Sequence, residues 1–167
     1  NLSTGEVEIV DSAIFHKTEY RERRNHYAVY YVNAKVDGFD TSRDAFLGAY
    51  NGPDTPDVVV NGACTNSVAS GWSPIACHQL NVKLEPGESR SFVFVLGYVE
   101  NPDDEKWESY GIINKSRAWA MLDRYKTDAD VEKAFAALKE YWNDLLSNYH
   151  VESSNPEVDR MVNIWNQ

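Results

Sequence analysis

The stretch HYAVYYVNAKV, at residues 26–36, decides the fold class. Apolar and polar residues alternate along it, which is the period of a β-strand with one packed face and one solvated face. The face expected to pack carries Ala28, Tyr30, Val32, Ala34 and Val36. Tyr27, Asn33 and Lys35 lie on the opposite face. The sequence therefore predicts an antiparallel sheet that is covered on one side.

Shorter β-prone runs surround this strand. Residues 6–11 and 13–20 form two of them, joined by a tight connection. Residues 37–74 are irregular and rich in Gly, Pro, Asn, Asp and Ser, which are the residues of turns and loops. Within them, the apolar segments 45–50 and 58–60 are expected to add two short strands.

A hairpin is predicted farther along the chain. Apolar and polar residues alternate over residues 78–84, the turn EPGE follows at residues 85–88, and residues 91–99 return. Residues 92–96 are apolar in succession, so this second strand is expected to be covered on both faces. His78 falls on the apolar face of the first strand, where we expect a hydrogen-bonded core or rim position.

The pattern becomes helical from about residue 113. A first apolar stripe combines Ala118, Met121, Leu122 and Tyr125. Thr127 is a suitable N-cap for a second, long helix, whose apolar residues recur at spacings of three and four. These residues are Val131, Phe135, Leu138, Trp142, Leu145 and Tyr149.

A third helix is expected to begin at Asn155 as N-cap, with Pro156 in the first helical position. Its apolar stripe consists of Val158, Met161, Val162 and Trp165. This stripe stops at Gln167 without a helix-ending signal, and at the other end a strand begins almost directly after Asn1. We therefore expect the chain to be a fragment of a longer protein.

Together these elements predict a fold that is mainly β with C-terminal helices. Residues 1–100 are expected to form an antiparallel β-sandwich portion, and residues 101–167 an α-helical linker. No internal repeat and no low-complexity segment interrupts this order.

The charge balance limits the partners. The 167 residues carry 26 acidic and 16 basic side chains, a net charge of −10. Such a field repels nucleic acids and anionic membranes. No apolar run approaches the ~20 residues of a membrane span, and no signal peptide opens the chain. We therefore expect no nucleic-acid partner, no membrane partner and a cytoplasmic location.

Cys64 and Cys77 are the only cysteines. Two cysteines in a chain of this size do not make a disulfide scaffold, and no zinc-type spacing of Cys and His is present. We interpret them as free thiols of a reducing compartment, with a disulfide as the alternative. No phosphate-binding loop, metalloprotease motif or calcium loop occurs either, so we expect neither a metal nor a cofactor.

Arg21, Arg23 and Arg24 form a basic cluster in this acidic chain, with Lys17 and His26 nearby. Guanidinium groups bind phosphate or carboxylate through two hydrogen bonds, so phosphate is one candidate ligand. The alternative is a loop whose arginines pair with the acids of this chain or with another domain.

The aromatic residues also allow two interpretations. Ten Tyr, six Phe and five Trp are present, and such side chains fill cores and interfaces but also line sugar-binding surfaces. Trp72 and Trp107 lie in or near predicted loops. An exposed indole at either position can stack on a sugar ring or pack against a neighbouring domain.

The run TEYRERRNHY, at residues 18–27, resembles the N-terminal region of bacterial cellobiose phosphorylases in glycoside hydrolase family 94. Similar short matches follow in order along nearly the whole chain, at residues 32–35, 38–40, 50–52, 59–62, 97–101, 105–108 and 160–167. A long ordered series of matches is far more specific than a single motif.

The resemblance implies a galactose mutarotase-like β-sandwich, then linker helices, then an (α/α)6 barrel that carries the active site. This chain would be the later part of the sandwich together with the linker. The resemblance also implies that the general acid, an Asp, and the main sugar and phosphate ligands lie in the barrel. No catalytic residue is therefore assigned to this chain, and its substrate-binding residues stay unknown.

The implied reaction is reversible phosphorolysis of cellobiose to α-glucose 1-phosphate and glucose, with inversion. One carboxylic acid protonates the leaving oxygen, and phosphate is itself the nucleophile, so the site must supply positive charge and hydrogen-bond donors. The implied partners are the barrel of the same polypeptide and a second subunit in a homodimer. The fragment alone is expected to be inactive.

Two alternatives stay open. One is the same portion of a cellodextrin, chitobiose or laminaribiose phosphorylase, because the barrel mainly sets the specificity in this family. The other is a stand-alone carbohydrate-binding or assembly module built on a β-sandwich.

Overall fold

The computed structural model describes residues 6–17, 25–71 and 73–165. The chain divides into two compact units, Asn1–Asp128 and Ala129–Gln167. The described strands lie in the first unit. The assignment of residues 1–100 to a sandwich portion and of 101–167 to a linker stays a prediction.

An antiparallel four-stranded sheet is the main element of the first unit. Its order is β1–β2–β3–β6, with β1 at Val7–Val10, β2 at Ala13–Lys17, β3 at His26–Val32 and β6 at Phe94–Glu100. β1 and β2 confirm the β-prone runs predicted at residues 6–11 and 13–20. Residues 18–20 of the second run lie outside the described residues. β3 confirms the strand predicted from the alternation in residues 26–36, although it ends at Val32.

Two smaller sheets accompany it in the described part of the chain. β4 at Gly38–Ser42 pairs with β5 at Pro74–Gln79, and β7 at Trp107–Ser109 pairs with β8 at Ile112–Ile113. β5 lies against the four-stranded sheet, because the rings of Tyr30 and His78 stack with centroids 4.9 Å apart. This set of antiparallel sheets followed by helices confirms the predicted fold class. β4 and the β7–β8 hairpin were not predicted.

The core lies on one face of the four-stranded sheet, under the helix α3 at Ser116–Leu122. Its buried side chains are Ala13, Phe15, Tyr27, Val29, Val99, Ile113, Ala118 and Leu122. The Phe15 ring meets the Trp119 indole edge-on, with ring centroids 5.6 Å apart. Tyr27 donates its hydroxyl hydrogen to the Asn114 carbonyl oxygen at 3.0 Å, so its buried polar end is satisfied.

The packed face of β3 is the opposite of the predicted one. Tyr27 and Val29 are buried in the core, whereas Ala28 and Tyr30 on the other face are half-buried. Of the residues predicted to pack, Val32 is fully buried. Both faces of the strand carry apolar side chains, so alternation alone does not distinguish them. The position of α3 decides which face is covered.

The predicted hairpin is wrong, although its turn is present. The Glu88 amide donates to the Glu85 carbonyl oxygen at 2.9 Å, but the strands on the two sides of this turn join different sheets. β5 pairs with β4 and ends at Gln79, while β6 pairs with β3. Residues 80–93 between them are not in strands. Long-range pairing has therefore overridden the local turn signal.

Residues 92–96 are not covered on both faces, contrary to the prediction. Val93 is buried, but Phe94 and Leu96 are 50% and 79% exposed. These two side chains lie on the face of β6 that α3 does not cover. Only the face that carries Val95 and Val99 packs on the core.

Two predicted strands, at residues 45–50 and 58–60, are wrong. Short helices take their place, α1 at Arg43–Leu47 and α2 at Asp57–Asn61. The Ser42 hydroxyl accepts a hydrogen bond from the Ala45 amide at 3.4 Å at the start of α1. Gly62 ends α2 in the left-handed conformation, with φ of 66°. Local caps therefore override the β propensity of the three consecutive valines in α2.

The later helices follow the sequence closely. α4 runs over Asp128–Ser147 and α5 over Pro156–Arg160, which continues as a π-helical turn at Met161–Trp165. Asn155 caps α5 as predicted, since its Oδ1 accepts from the Glu157 amide at 3.0 Å. α4 begins directly after Thr127 and ends before Tyr149. None of the helices in the described ranges combines the length and the apolar character that a membrane span requires.

Gly97 of β6 lets α3 approach the sheet. A Cβ added at Gly97 would lie 2.2 Å from the Cε of Met121 and 3.2 Å from the Cγ1 of Val29. We expect Gly97→Ala to lower the free energy of unfolding by about 1–3 kcal/mol, because Met121 must move. Gly52→Ala is the matched control, since its added Cβ would have no atom within 4 Å. If urea unfolding shows equal losses in the free energy of unfolding for both variants, α3 does not pack closely on Gly97.

Candidate functional surfaces

One face of the first unit carries an aromatic cluster, which we call the aromatic face. It consists of His26, Tyr30, His78, Phe94, Leu96 and Tyr98. The Tyr30 ring stacks with the rings of His78 and Phe94, at centroid distances of 4.9 and 6.1 Å. The rings of His26 and Tyr98 lie 5.3 Å apart. Three strands, β3, β5 and β6, therefore contribute to one surface.

The aromatic face is open along β6. Phe94, Leu96 and Tyr98 alternate on this strand, opposite the face covered by α3, and are 50%, 79% and 55% exposed. Exposed apolar side chains in a row mark a surface for contact with a ligand or another polypeptide. The sequence predicted a fully covered strand here and therefore missed this surface.

Two histidines at this face, His16 and His78, are not suited to hold an anion. Burial lowers the pKa of His78, and its Nδ1 has no hydrogen-bond partner. Burial also lowers the pKa of His16, despite the opposing effect of a hydrogen bond between its Nε2 and the Ile75 carbonyl oxygen at 3.1 Å. Both rings are therefore neutral at pH 7. His78 is half-buried, in agreement with the predicted rim position, but its Nδ1 lacks the hydrogen bond that the prediction included.

The predicted phosphate ligands Arg21, Arg23 and Arg24 lie outside the described residues, and so does Trp72. Their roles stay predictions.

Trp107 is on β7 rather than in a loop, and its side chain is 41% exposed. The Lys106 Nζ lies 4.4 Å from the centroid of the Trp107 ring, so a cation covers one face of the indole.

Glu8 is the centre of a network of ion pairs beneath α3. Its carboxylate lies 3.4 Å from the Lys17 Nζ, contacts the Lys115 Nζ, and accepts a hydrogen bond from the Ile113 amide at 2.9 Å. Lys17 also donates to the Gly111 carbonyl oxygen at 3.0 Å. The two lysine side chains are only 10% and 8% exposed. Each charge has a partner within the fold, so the network is structural.

Asp40 of β4 is fully buried. Its Oδ1 accepts from the Ser67 amide at 2.9 Å and from the Ser67 and Thr65 hydroxyls at 2.6 and 2.5 Å. Its Oδ2 accepts from the Thr65 amide at 2.9 Å. Burial alone raises the pKa of Asp40, but these hydrogen bonds outweigh it and lower the pKa below the usual 3.8. Asp40 therefore holds the loop of residues 64–69 and is a poor proton donor.

Cys64 and Cys77 are free thiols, as predicted, and their Sγ atoms lie 3.9 Å apart. Within the described ranges, no group of three or more His, Cys, Asp or Glu side chains is placed to hold a metal ion.

In the second unit, α4 presents an apolar stripe along its length. The α4 stripe consists of Phe135, Leu138, Trp142 and Leu145, which are 64%, 51%, 49% and 47% exposed. The predicted amphipathic pattern is thus confirmed, with its apolar side uncovered. Tyr141 extends the stripe by an edge-on contact with the Trp142 ring at 5.5 Å.

This chain is similar to a known family of proteins. The family model of the glycosyl hydrolase 94 supersandwich domain matches residues 1–128. N,N'-diacetylchitobiose phosphorylase of Vibrio furnissii is 30% identical over 138 residues, which are 81% of this chain and 15% of that protein. The enzyme of the same name from Vibrio proteolyticus is 28% identical over 160 residues, 89% of this chain and 18% of that protein.

A third relative is the 3-O-beta-D-glucopyranosyl-beta-D-glucuronide phosphorylase of Paenibacillus borealis. It is 26% identical over 135 residues, 81% of this chain and 16% of that protein. The chain therefore spans under a fifth of the length of the three relatives. Since the family model covers most of the chain, the chain belongs to the glycosyl hydrolase 94 family through its supersandwich domain.

Proposed function

We propose that this chain is the non-catalytic supersandwich and linker portion of an inverting disaccharide phosphorylase. The observation that carries the proposal is the family match over residues 1–128, together with relatives named as phosphorylases. The geometry supports a scaffold role. The carboxylates of Asp40, which is buried, and of Glu8, which is 15% exposed, are held in hydrogen bonds and ion pairs. The Asp40 pKa is lowered, whereas a general acid needs a raised one. The catalytic acid is then supplied by another part of the protein.

The substrate proposed first is N,N'-diacetylchitobiose, because two similar relatives carry its name. The cellobiose expected from the resemblance stays the second candidate. In either reaction phosphate attacks the anomeric carbon as the acid protonates the leaving oxygen, giving a sugar 1-phosphate of inverted configuration. The cytoplasmic location and the homodimer are part of the same proposal.

The test is phosphorolysis by the full-length gene product. We expect phosphate-dependent release of an α-sugar 1-phosphate, with the anomer identified by proton NMR, from one member of a panel of N,N'-diacetylchitobiose, chitobiose, cellobiose, laminaribiose and cellodextrins. The 167-residue chain alone should give none. Turnover by that chain alone, or hydrolysis by the full protein without use of phosphate, would overturn the proposal.

The α4 stripe is proposed to be the surface on which the catalytic barrel of the same polypeptide packs. A helix with one strongly apolar side needs a partner, and the stripe is uncovered over three helical turns. Covering a leucine of this stripe contributes about 1–3 kcal/mol.

Leu138→Ser and Lys139→Ser test this packing as a matched pair. Both positions are exposed neighbours on α4, so both changes should alter the thermal unfolding of the 167-residue chain equally little. In the full-length product, Leu138→Ser should lower the stability by about 1–3 kcal/mol while Lys139→Ser leaves it unchanged. If the two variants behave alike in the full-length protein, the α4 stripe is not the docking surface.

A stand-alone carbohydrate-binding module is the second candidate function. The exposed rings of Phe94 and Tyr98 on the aromatic face favour it, because sugar rings stack on such platforms. Calorimetric titration of the 167-residue chain with cellobiose and chitobiose separates the two candidates. Saturable binding that Tyr98→Ala abolishes would support the module, and the absence of binding would support the scaffold.

A further inference from the structure

Cys64 and Cys77 come from different elements and meet side by side. Cys77 lies in the middle of β5, opposite Asp40 of β4, and Cys64 follows α2 in the chain. Both residues are half-buried, and their Sγ atoms are 3.9 Å apart. A disulfide bond is about 2.0 Å long, so each sulfur has to move by only about 1 Å. Rotation of the two side chains provides such a movement.

The position of Cys64 is fixed by its neighbours. Its amide donates to the Gln79 Oε1 at 2.8 Å. Its Cβ lies 3.1 Å from the place where a Cβ on Gly38 would sit, so the missing side chain of Gly38 gives it room. The next residue, Thr65, is held by Asp40 through two hydrogen bonds. The sulfur pair is therefore pre-organised rather than brought together by a mobile loop.

We propose that Cys64 and Cys77 form a reversible disulfide site that reacts with low-molecular-weight disulfides such as glutathione disulfide. A first protein thiolate attacks one sulfur of the small disulfide and releases one small thiol. The second protein thiolate attacks the protein sulfur of this mixed disulfide and releases the second small thiol. The protein loses two protons and two electrons, and the small disulfide takes them up to become two thiols.

The surroundings indicate which sulfur reacts first. Burial raises the pKa of Cys64 to about 12. Burial also raises the pKa of Cys77, but the hydrogen bond from the Cys64 thiol acts in the opposite direction there. Cys77 therefore becomes the first thiolate. Asp40 of β4 disfavours a negative charge on either sulfur, and the neutral Tyr30 of β3 also faces Cys77. The reaction is therefore faster at alkaline than at neutral pH.

The crosslink would tie the loop after α2 to β5. The residue next to Cys77 is His78, whose ring stacks on Tyr30 in the aromatic face. Oxidation would therefore add a covalent bond to the hydrogen bonds and ring stacking that hold this strand at one side of the face. The site is independent of the proposed phosphorylase function.

The test equilibrates the full-length gene product in glutathione buffers of increasing oxidised-to-reduced ratio, followed by alkylation of free thiols, denaturation and digestion. No Lys or Arg lies between Arg43 and Lys83, so trypsin leaves both cysteines in one peptide. A second digestion with chymotrypsin cuts after Trp72 and separates them. We expect two peptides that are joined through Cys64 and Cys77, lack two hydrogens and are released by dithiothreitol.

Two comparisons decide the outcome. The equilibrium should favour the linked form on the order of a hundredfold more in the native protein than in urea. Closing the loop costs the unfolded chain conformational entropy, whereas the two sulfurs are already close in the native protein. Cys64→Ser and Cys77→Ser should yield mixed glutathione disulfides at most. Linkage that is no more favourable in the native protein than in urea would overturn the proposal, as would glutathione on both cysteines of the unmutated protein without a crosslink.

Discussion

Replacing Glu8 by glutamine is expected to lower the free energy of unfolding by about 3–5 kcal/mol. The substitution keeps the size of the side chain and removes its charge. Lys17 keeps its ion pair with Glu6 at 3.2 Å. The Lys115 side chain, which is 8% exposed, then faces a neutral amide. The loss is large because the buried Lys115 cation loses the carboxylate that compensates it.

The control for this variant is Glu85→Gln. Glu85 also pairs with a lysine, at 3.1 Å from the Lys83 Nζ, but the two side chains are 69% and 90% exposed. The same chemical change should therefore cost about 0–1 kcal/mol there. Urea unfolding of both variants measures the difference. A small loss at Glu8, similar to that at Glu85, would show that the buried network does not stabilise the fold.

Asp40→Ala is the second substitution with a large expected effect, a loss of about 3 kcal/mol or more. It leaves the amides and hydroxyls of Thr65 and Ser67 without their acceptor in a partly buried place. Asp37→Asn is the control, since Asp37 is exposed and accepts a single hydrogen bond from the Asn81 amide. Similar losses for the two variants in urea unfolding would contradict the role given to Asp40.

The pH dependence gives an independent measure of the same contribution. The Asp40 pKa is lower in the folded protein than its usual 3.8, so Asp40 stabilises the fold above that value. This stability is lost as the pH falls through the lowered folded pKa. The stability difference between the unmutated protein and Asp40→Ala should therefore narrow below about pH 4. A difference that stays constant down to pH 2 would mean that the carboxylate charge is not involved.

Local patterns predicted a large part of this fold. The alternation that begins at His26, the N-cap at Asn155 and the spacing of apolar residues on α4 each depend on neighbours within a few positions. Pairing over long distances could not be predicted in this way. β6 follows a correctly predicted turn but pairs with β3. Val58 belongs to a run of β-branched residues, yet it lies in a helix that Gly62 ends.

The candidate surfaces were harder to predict than the fold. The chain has 26 acidic residues, and sequence spacing distinguishes none of them. Glu8 meets the Ile113 amide 105 positions away, and Asp40 meets the Thr65 amide 25 positions away. The openness of the aromatic face depends on which side of the sheet α3 covers, and both sides of β3 are apolar. The α4 stripe is the exception, because a helical period reveals a one-sided surface directly.

The α4 stripe also limits how this part of the protein can change during evolution. α4 has 20 residues and is therefore about 30 Å long. One inserted residue turns everything after it by about 100° and shifts it by about 1.5 Å, so the two halves of the stripe no longer share one side. Descendants of this sequence can therefore exchange one apolar residue for another along α4, whereas single-residue insertions and deletions within it are selected against.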